Sequence, residues 1–374
     1  MLKLPIAHKL NGLYRTHLIL PCRAMSTANT GSNMPNHLTD TLPTSAIPVF
    51  TTLNSLRAWR RKASDDRRTV GFVPTMGALH DGHLSLVNHS LANNDLTVVS
   101  IFVNPTQFAP HEDLATYPRT LPRDLELLSA LSYTVEDSEG NANTARERTP
   151  SAVFLPSVQE MYPSGVSQQV STQKGTFVEV KGYGEQMEGK SRPSFFRGVA
   201  TVVTKLFNAV EPTNAYFGQK DIQQGLLLRR LVRDLLLSHP DPEHLHILPT
   251  ARDAADELAL SSRNVHLSPA ERHFAPALYA ALKAARDYWD AGHSKDDTVK
   301  VALQSFEKSR QDFAGEVDVR LDYIDMNDVE TFDVVDGNAT SAAGKPIILS
   351  GAVWLGTTRL IDNIILGDDG TIIG

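Results

Sequence analysis

The strongest constraint on this chain is a pair of uninterrupted apolar or β-branched stretches separated by one short helical pattern. Val70-Gly-Phe-Val-Pro74 and Leu96-Thr-Val-Val-Ser-Ile-Phe-Val103 lack the in–out alternation of a strand with one wet face. Strands of that kind are buried on both sides, which is the condition of a parallel sheet covered by helices. Leu84 to Leu91 supplies the crossover helix. The alternation continues with Val153-Phe-Leu155 as strand, Val199 to Val210 as helix, Ala215-Tyr-Phe217 as strand, Asp221 to Leu237 as helix and Leu245 to Leu248 as strand. The expectation is a doubly wound, Rossmann-like α/β domain over residues 48–251, with ligands beyond the carboxyl ends of its strands.

Past Arg263 the pattern changes. Ser268-Pro269-Ala270-Glu271 is a capping box with proline at the first helical position, and Phe274, Leu278, Leu282 and Trp289 continue one helix that Gly292 stops. Leu321 to Ile324 and Pro346 to Leu355 follow as strands, giving a smaller α+β domain over 252–374. Residues 1–47 stand apart. The first 39 carry no acidic residue but include Lys3, Lys9, Arg15 and Arg23, so they read either as a mitochondrial transit segment or as a polar lead-in after a start at Met25. The expected compartment is cytoplasmic, with mitochondrial as the alternative. Glu136 to Thr149 contains no Val, Ile, Leu or Phe and reads as a solvated surface insertion. A net charge of −7 gives no electrostatic footprint for nucleic acid or an acidic membrane. No apolar run reaches the roughly 20 residues that span a bilayer. The single cysteine, Cys22, rules out an internal disulfide.

Four short segments carry chemistry. Pro74-Thr-Met-Gly-Ala-Leu-His80-Asp-Gly-His83 runs from a buried strand into a helix, where backbone N–H groups and the positive end of the helix dipole favour phosphate. Gly77 and Gly82 permit close backbone approach, and His80 and His83 share a face of the first turn. The pair suits donors to a phosphate; a zinc pair or plain surface histidines are the alternatives, and zinc would need further ligands. Phe217-Gly-Gln-Lys220-Asp221 lies at a second strand-to-helix junction, with Lys220 suited to phosphate oxygens. Asp221 serves equally as partner to ribose or Lys220, or as a helix cap. Leu260-Ser261-Ser262-Arg263-Asn264 offers two hydroxyls and a guanidinium on a loop. Asn104 and Gln107, in Ile101-Phe-Val-Asn-Pro-Thr-Gln-Phe108, offer neutral amides at a strand's carboxyl end, fitting a hydroxy acid.

His80-Asp-Gly-His83 resembles the HxGH signature of adenylyl-transferring α/β enzymes, and the four segments together, with Leu355 to Asn363, are similar to the pantoate–β-alanine ligases (pantothenate synthetases). The resemblance covers residue 48 to the end. It implies formation of an acyl-adenylate from pantoate and ATP, followed by capture with β-alanine, and it implies Mg²⁺ and a homodimer. It implies that Met76, Gly77, Ala78, Leu79, His80, Asp81, Gly82, His83, Gly218, Gln219, Lys220, Asp221, Ala251, Leu260, Ser261, Ser262 and Arg263 hold ATP. His83 is the implied catalytic histidine, with His80, Lys220 and Arg263 on the phosphates. Gln107 and Gln224 are implied for pantoate, with Asn104, Glu188 and Arg192 nearby, and Asp124 is the implied metal carboxylate. The chain departs from the family pattern at Gln219 (usually Glu), at Phe195 (often His), at Arg123 (often acidic) and in the longer Asp253 to Leu258 loop. Mg²⁺ is therefore expected to rest mainly on ATP phosphates.

Overall fold

The computed structural model describes residues 42–108, 114–135, 146–368 and 370–374. The transit-like reading of the first 39 residues and most of the 136–149 insertion lie outside them. The buried stretches form the expected sheet. Strands β1 (Val49–Phe50), β2 (Val70–Thr75), β3 (Leu96–Ile101), β6 (Ala152–Phe154), β7 (Asn214–Gly218) and β8 (Leu245–Leu248) pair throughout in parallel, in the order β1-β6-β3-β2-β7-β8. From β2 the chain winds outward through β3 and β6, then crosses to β7 and β8. The direction of winding thus reverses beside β2, which opens a crevice there at the carboxyl edge. The motif segments that follow β2, β3 and β7 leave the sheet at that edge.

Helices cover both faces. On one side α1 (Leu53–Asp65), α6 (Phe195–Val210) and α7 (Ile222–Asp234) bury Leu56, Phe196, Val203, Phe207, Leu228 and Leu231 against Phe72, Phe154 and Phe217. On the other, α2 (Asp81–Asn93) and α3 (Leu121–Ser129) bury Leu86, Val87, Leu91, Leu125 and Leu128 against Val73 and Val99. The C-terminal part is a small antiparallel sheet, β9 (Val319–Asp328), β10 (Ile347–Leu355) and β11 (Thr358–Leu366), with β10 central. It packs on α9 (Ala277–Asp290) and α10 (Lys295–Asp312) through Leu278, Leu282, Phe306, Leu349 and Val353.

Two expectations need correction. The single helix after Ser268 is two, α8 (Pro269–Phe274) and α9, divided at Pro276, which lacks the N–H that a continuous helix would use. Its capping box is present, with Ser268 Oγ accepting from Glu271 N at 3.3 Å and Glu271 Oε2 accepting from Ser268 N at 2.7 Å. The end of the expected insertion is ordered structure, since β5 (Arg146–Arg148) pairs antiparallel with β4 (Tyr133–Val135). Arg148 Nη1 donates to Leu91 O and Ala92 O at 3.0 and 2.9 Å, so a cation closes the carboxyl end of α2.

Arg148→Ala should therefore destabilise the protein by about 1–2 kcal/mol, the range for a charged donor at a helix carboxyl end. The urea midpoint measures it; an unchanged midpoint would show that the hairpin does not support α2.

Candidate active site

The turn between β2 and α2 is built by a carboxylate from elsewhere in the chain. Gly77 and Ala78 sit at φ +83° and +51°, a region that alanine rarely adopts. Asp124, in the first turn of α3 and 1% exposed, holds them there. Its Oδ2 accepts from Ala78 N at 3.1 Å, while its Oδ1 accepts from Leu79 N at 2.9 Å and from Thr120 Oγ1 at 3.0 Å. The carboxylate implied for the metal is thus engaged with the backbone of the histidine loop. No group of three or more His, Cys, Asp or Glu gathers to hold a cation among the described residues.

The turn delivers both histidines to a cleft of about 760 Å³. His80 is the N-cap of α2: its Nδ1 accepts from Gly82 N at 3.2 Å, which leaves the ring hydrogen on Nε2. The helix mouth is capped from within by this ring, rather than open as a bare amide cradle. A Cβ on Gly82 would lie 2.9 Å from His80 Cε1, so this glycine makes room for the ring. The His83 ring lies 4.1 Å from that of His80, centroid to centroid, and its Nδ1 is buried with no hydrogen-bond partner among the described residues. Burial, with His80 and Lys220 adding to it, pushes the His83 imidazole down to about 3, and burial also lowers His80. Both rings are therefore neutral at pH 7 and act as N–H donors rather than cations.

Lys220 and Asp221 line the same cleft, with Lys220 Nζ 3.7 Å from the Asp221 carboxylate. Asp221 precedes α7 without a side-chain capping bond, so of its two expected roles the geometry favours the partner of Lys220. This loop is held from the C-terminal sheet. Asn363 Nδ2, on β11, donates to Gln219 O at 2.9 Å and to Lys220 O at 3.0 Å. Gln219 Nε2 returns a bond to Asn363 Oδ1 at 3.2 Å, and its Oε1 accepts from Thr250 N at 3.3 Å. A glutamate at 219 would set oxygen against Asn363 Oδ1, where the amide donates. Arg252 donates to both oxygens of Asp362 at 2.7 and 2.8 Å, pinning the strand beside Ala251. The longer loop after it closes on Arg272, whose guanidinium takes Asp253 at 2.8 Å and also binds Asp256.

Of the expected ATP residues, Met76, His80, Gly82, His83, Gly218, Lys220, Asp221, Ala251, Leu260, Ser261, Ser262 and Arg263 line the cleft. Gly77, Ala78, Leu79, Asp81 and Gln219 do not line it, and Asp81 is exposed. Gln107, Gln224, Glu188 and Arg192 line it as well; Asn104, fully buried, does not. Glu188 is already paired, with Arg359 Nη1 and Nη2 at 2.6 and 3.0 Å and with Tyr323 OH at 3.0 Å. Burial and then Glu188 push the Tyr323 phenol upward, so it stays protonated and donates. Phe195 carries the Arg192 guanidinium 3.9 Å above its ring, a cation–π contact. Tyr117, Tyr323, Trp354 and Arg359 also line the cleft and were not picked out from sequence, because no local motif marks them.

A doubly wound sheet with His-x-Gly-His at the mouth of α2, and neutral imidazoles sharing a cleft with a lysine, defines an α/β nucleotide-binding enzyme of the adenylyl-transferring kind. The family model described as pantoate-beta-alanine ligase matches residues 48–365, and the chain belongs to that family. Pantothenate synthetase of Herpetosiphon aurantiacus is 43% identical over 320 residues, 86% of this chain and 100% of that protein. Pantoate--beta-alanine ligase of Saccharomyces cerevisiae is 40% identical over 335 residues, again 86% and 100%. Among solved structures, a pantothenate synthetase from Thermus thermophilus superposes with a TM-score of 0.66 at 38% identity, covering 88% of this chain and 100% of that one. The Francisella tularensis ligase, complexed with beta-gamma ATP and beta-alanine, superposes at 0.62 with 29% identity, covering 87% and 100%.

The buried His83 carries a pH signature. The folded protein resists its protonation down to about pH 3, whereas the unfolded chain takes the proton near 6.5. Stability from this group is thus full above 6.5 and is lost as pH falls towards 3. His83→Gln should flatten the decline of unfolding free energy between pH 6.5 and 4 by up to about 1.4 kcal/mol per pH unit, one proton's worth. Parallel curves for the two proteins would mean that His83 is not held neutral.

Proposed function

We propose that this protein joins pantoate to β-alanine with ATP, through a pantoyl-adenylate. The observation that carries the reading is the meeting, in one cleft, of the Gln107 and Gln224 amides with the His80, His83, Lys220 and Arg263 wall. In the first step a pantoate carboxylate oxygen attacks the α-phosphorus of ATP, and the bond to the β-phosphate oxygen breaks, releasing diphosphate. In the second, the free amine of β-alanine attacks the activated carbonyl, the bond to the AMP oxygen breaks, and the amine gives up a proton. No side-chain nucleophile is required, so rate comes from positioning and charge stabilisation.

The residue roles follow from charge. His80 and His83 are neutral donors to phosphate oxygens whose charge grows as diphosphate leaves. Lys220 and Arg263 supply the fixed positive charge, and Gln107 and Gln224 orient the acid. Mg²⁺, when bound, would rest mainly on the ATP phosphates and would neutralise part of their charge. The family implies a homodimer, which sedimentation would decide. No described helix is long and apolar enough to cross a membrane. Cytoplasmic residence is the reading we favour, and the basic first 39 residues make mitochondrial import its alternative.

Purified protein should form AMP and diphosphate only when pantoate is present, and should turn over repeatedly only with β-alanine. His83→Ala should slow adenylate formation on the order of a hundredfold or more, as loss of one preorganised donor does. AMP formation indifferent to pantoate, or ADP as product, would sink the assignment.

A further inference from the structure

A glutamine facing a cleft can offer either its donor nitrogen or its acceptor oxygen, unless something turns the amide. At Gln107 the turning is done by Asn104. Two backbone groups of fixed polarity flank Asn104: Thr106 N donates to its Oδ1 at 3.4 Å, and Gly198 O accepts from its Nδ2 at 3.3 Å. Neither can exchange roles, so Asn104 has one permitted orientation. Its Nδ2 then donates to Gln107 Oε1 at 3.0 Å. With that oxygen occupied, Nε2 is the atom of Gln107 left for the cleft.

Two further donors secure the arrangement. Tyr162, which follows α4 (Val158–Met161) and is 2% exposed, donates its hydroxyl to Asn104 Oδ1 at 2.8 Å. Thr106 Oγ1 donates to the same oxygen at 3.1 Å. The tyrosine is itself fixed: Lys205, on α6, lies 3.9 Å over the ring and donates to Met161 O at 2.7 Å. The turn rests directly on α6, where a Cβ at Gly198 would come within 2.3 Å of Thr106 O. Arg192 Nη2 holds the backbone of Gln107 through its carbonyl at 2.8 Å.

We infer that Tyr162 is a positioning residue for the acid substrate: through Asn104 it keeps the Gln107 amide nitrogen turned to the cleft. This rests on the reading of Gln107 as a pantoate contact. The site thus presents the amide N–H at that point, with the oxygen engaged by Asn104. It therefore matches a carboxylate or other acceptor oxygen and is mismatched to the ammonium of the second substrate. None of Tyr162, Asn104 and Gly198 lines the cleft; they act through Gln107.

The test uses the full chain and two near-isosteric substitutions. Asn104→Asp replaces the donating nitrogen by oxygen, so Gln107 must turn its nitrogen inward and show oxygen to the cleft. Tyr162→Phe removes one of the donors that hold Asn104. With AMP formation as readout and thermal melts alongside, Asn104→Asp should raise the pantoate KM by about tenfold or more, and Tyr162→Phe by about three- to tenfold, with the ATP KM within about twofold in both. In a Gln107→Ala background neither substitution should raise the pantoate KM further. The inference is overturned if folded variants keep the normal pantoate KM, if both KM values rise together, or if the effects persist without the Gln107 amide. Should Tyr162→Phe fail to fold, Asn104→Asp decides alone. Failure of the reaction itself would show separately, as an unsubstituted protein that makes no AMP from pantoate; calorimetric binding of pantoate then carries the same comparison. A protein that does not bind pantoate either overturns both readings.

Discussion

The buried carboxylate of Asp124 is the interaction on which the site depends. It accepts two consecutive backbone N–H groups, Ala78 and Leu79, across 46 and 45 residues of sequence. Those bonds offset the cost of holding a non-glycine residue in the left-handed region, which is of order 1–3 kcal/mol. Without that hold the turn would relax, and the rings of His80 and His83, 4.1 Å apart, would lose their common direction into the cleft. A carboxylate also suits the place electrically. It faces the amino end of α2, where backbone N–H groups carry partial positive charge.

The second dependence runs between the two sheets. Lys220 sits on a loop whose carbonyls are held by Asn363 of β11, and Ala251 follows a strand end pinned by Arg252 to Asp362 of the same strand. Glu188, on α5 (Glu188–Ser191), reaches back to Arg359 and Tyr323. The antiparallel sheet is therefore a structural part of the wall that carries Lys220, and it lines the cleft as well.

Much of the fold was legible because the parallel strands are buried on both faces, and runs such as Leu96 to Ile101 admit few other readings. Helices α1 and α10 were not read, since their exposed faces are charged and their apolar residues are sparse. In the site, the segments at strand ends were legible because glycine, histidine and lysine at a helix mouth have few other uses. Side-chain direction was not. Asn104 and Asp124 were expected at the ligand, yet both turn inward to partners far along the chain, Tyr162 at 58 residues and Ala78 at 46. The neutrality of His83 was likewise hidden, because it arises from burial beside His80 and Lys220, which only the folded chain brings together.

The central claim is that the acid is activated on the α-phosphate of ATP in this cleft. Pantoate labelled with ¹⁸O in its carboxylate tests it most directly. One carboxylate oxygen becomes the bridge to phosphorus and leaves with AMP when the amine attacks the carbonyl. A single turnover followed by mass spectrometry should find one ¹⁸O in the phosphoryl group of AMP. Label retained wholly in the acid product, or found in inorganic phosphate, would contradict the account.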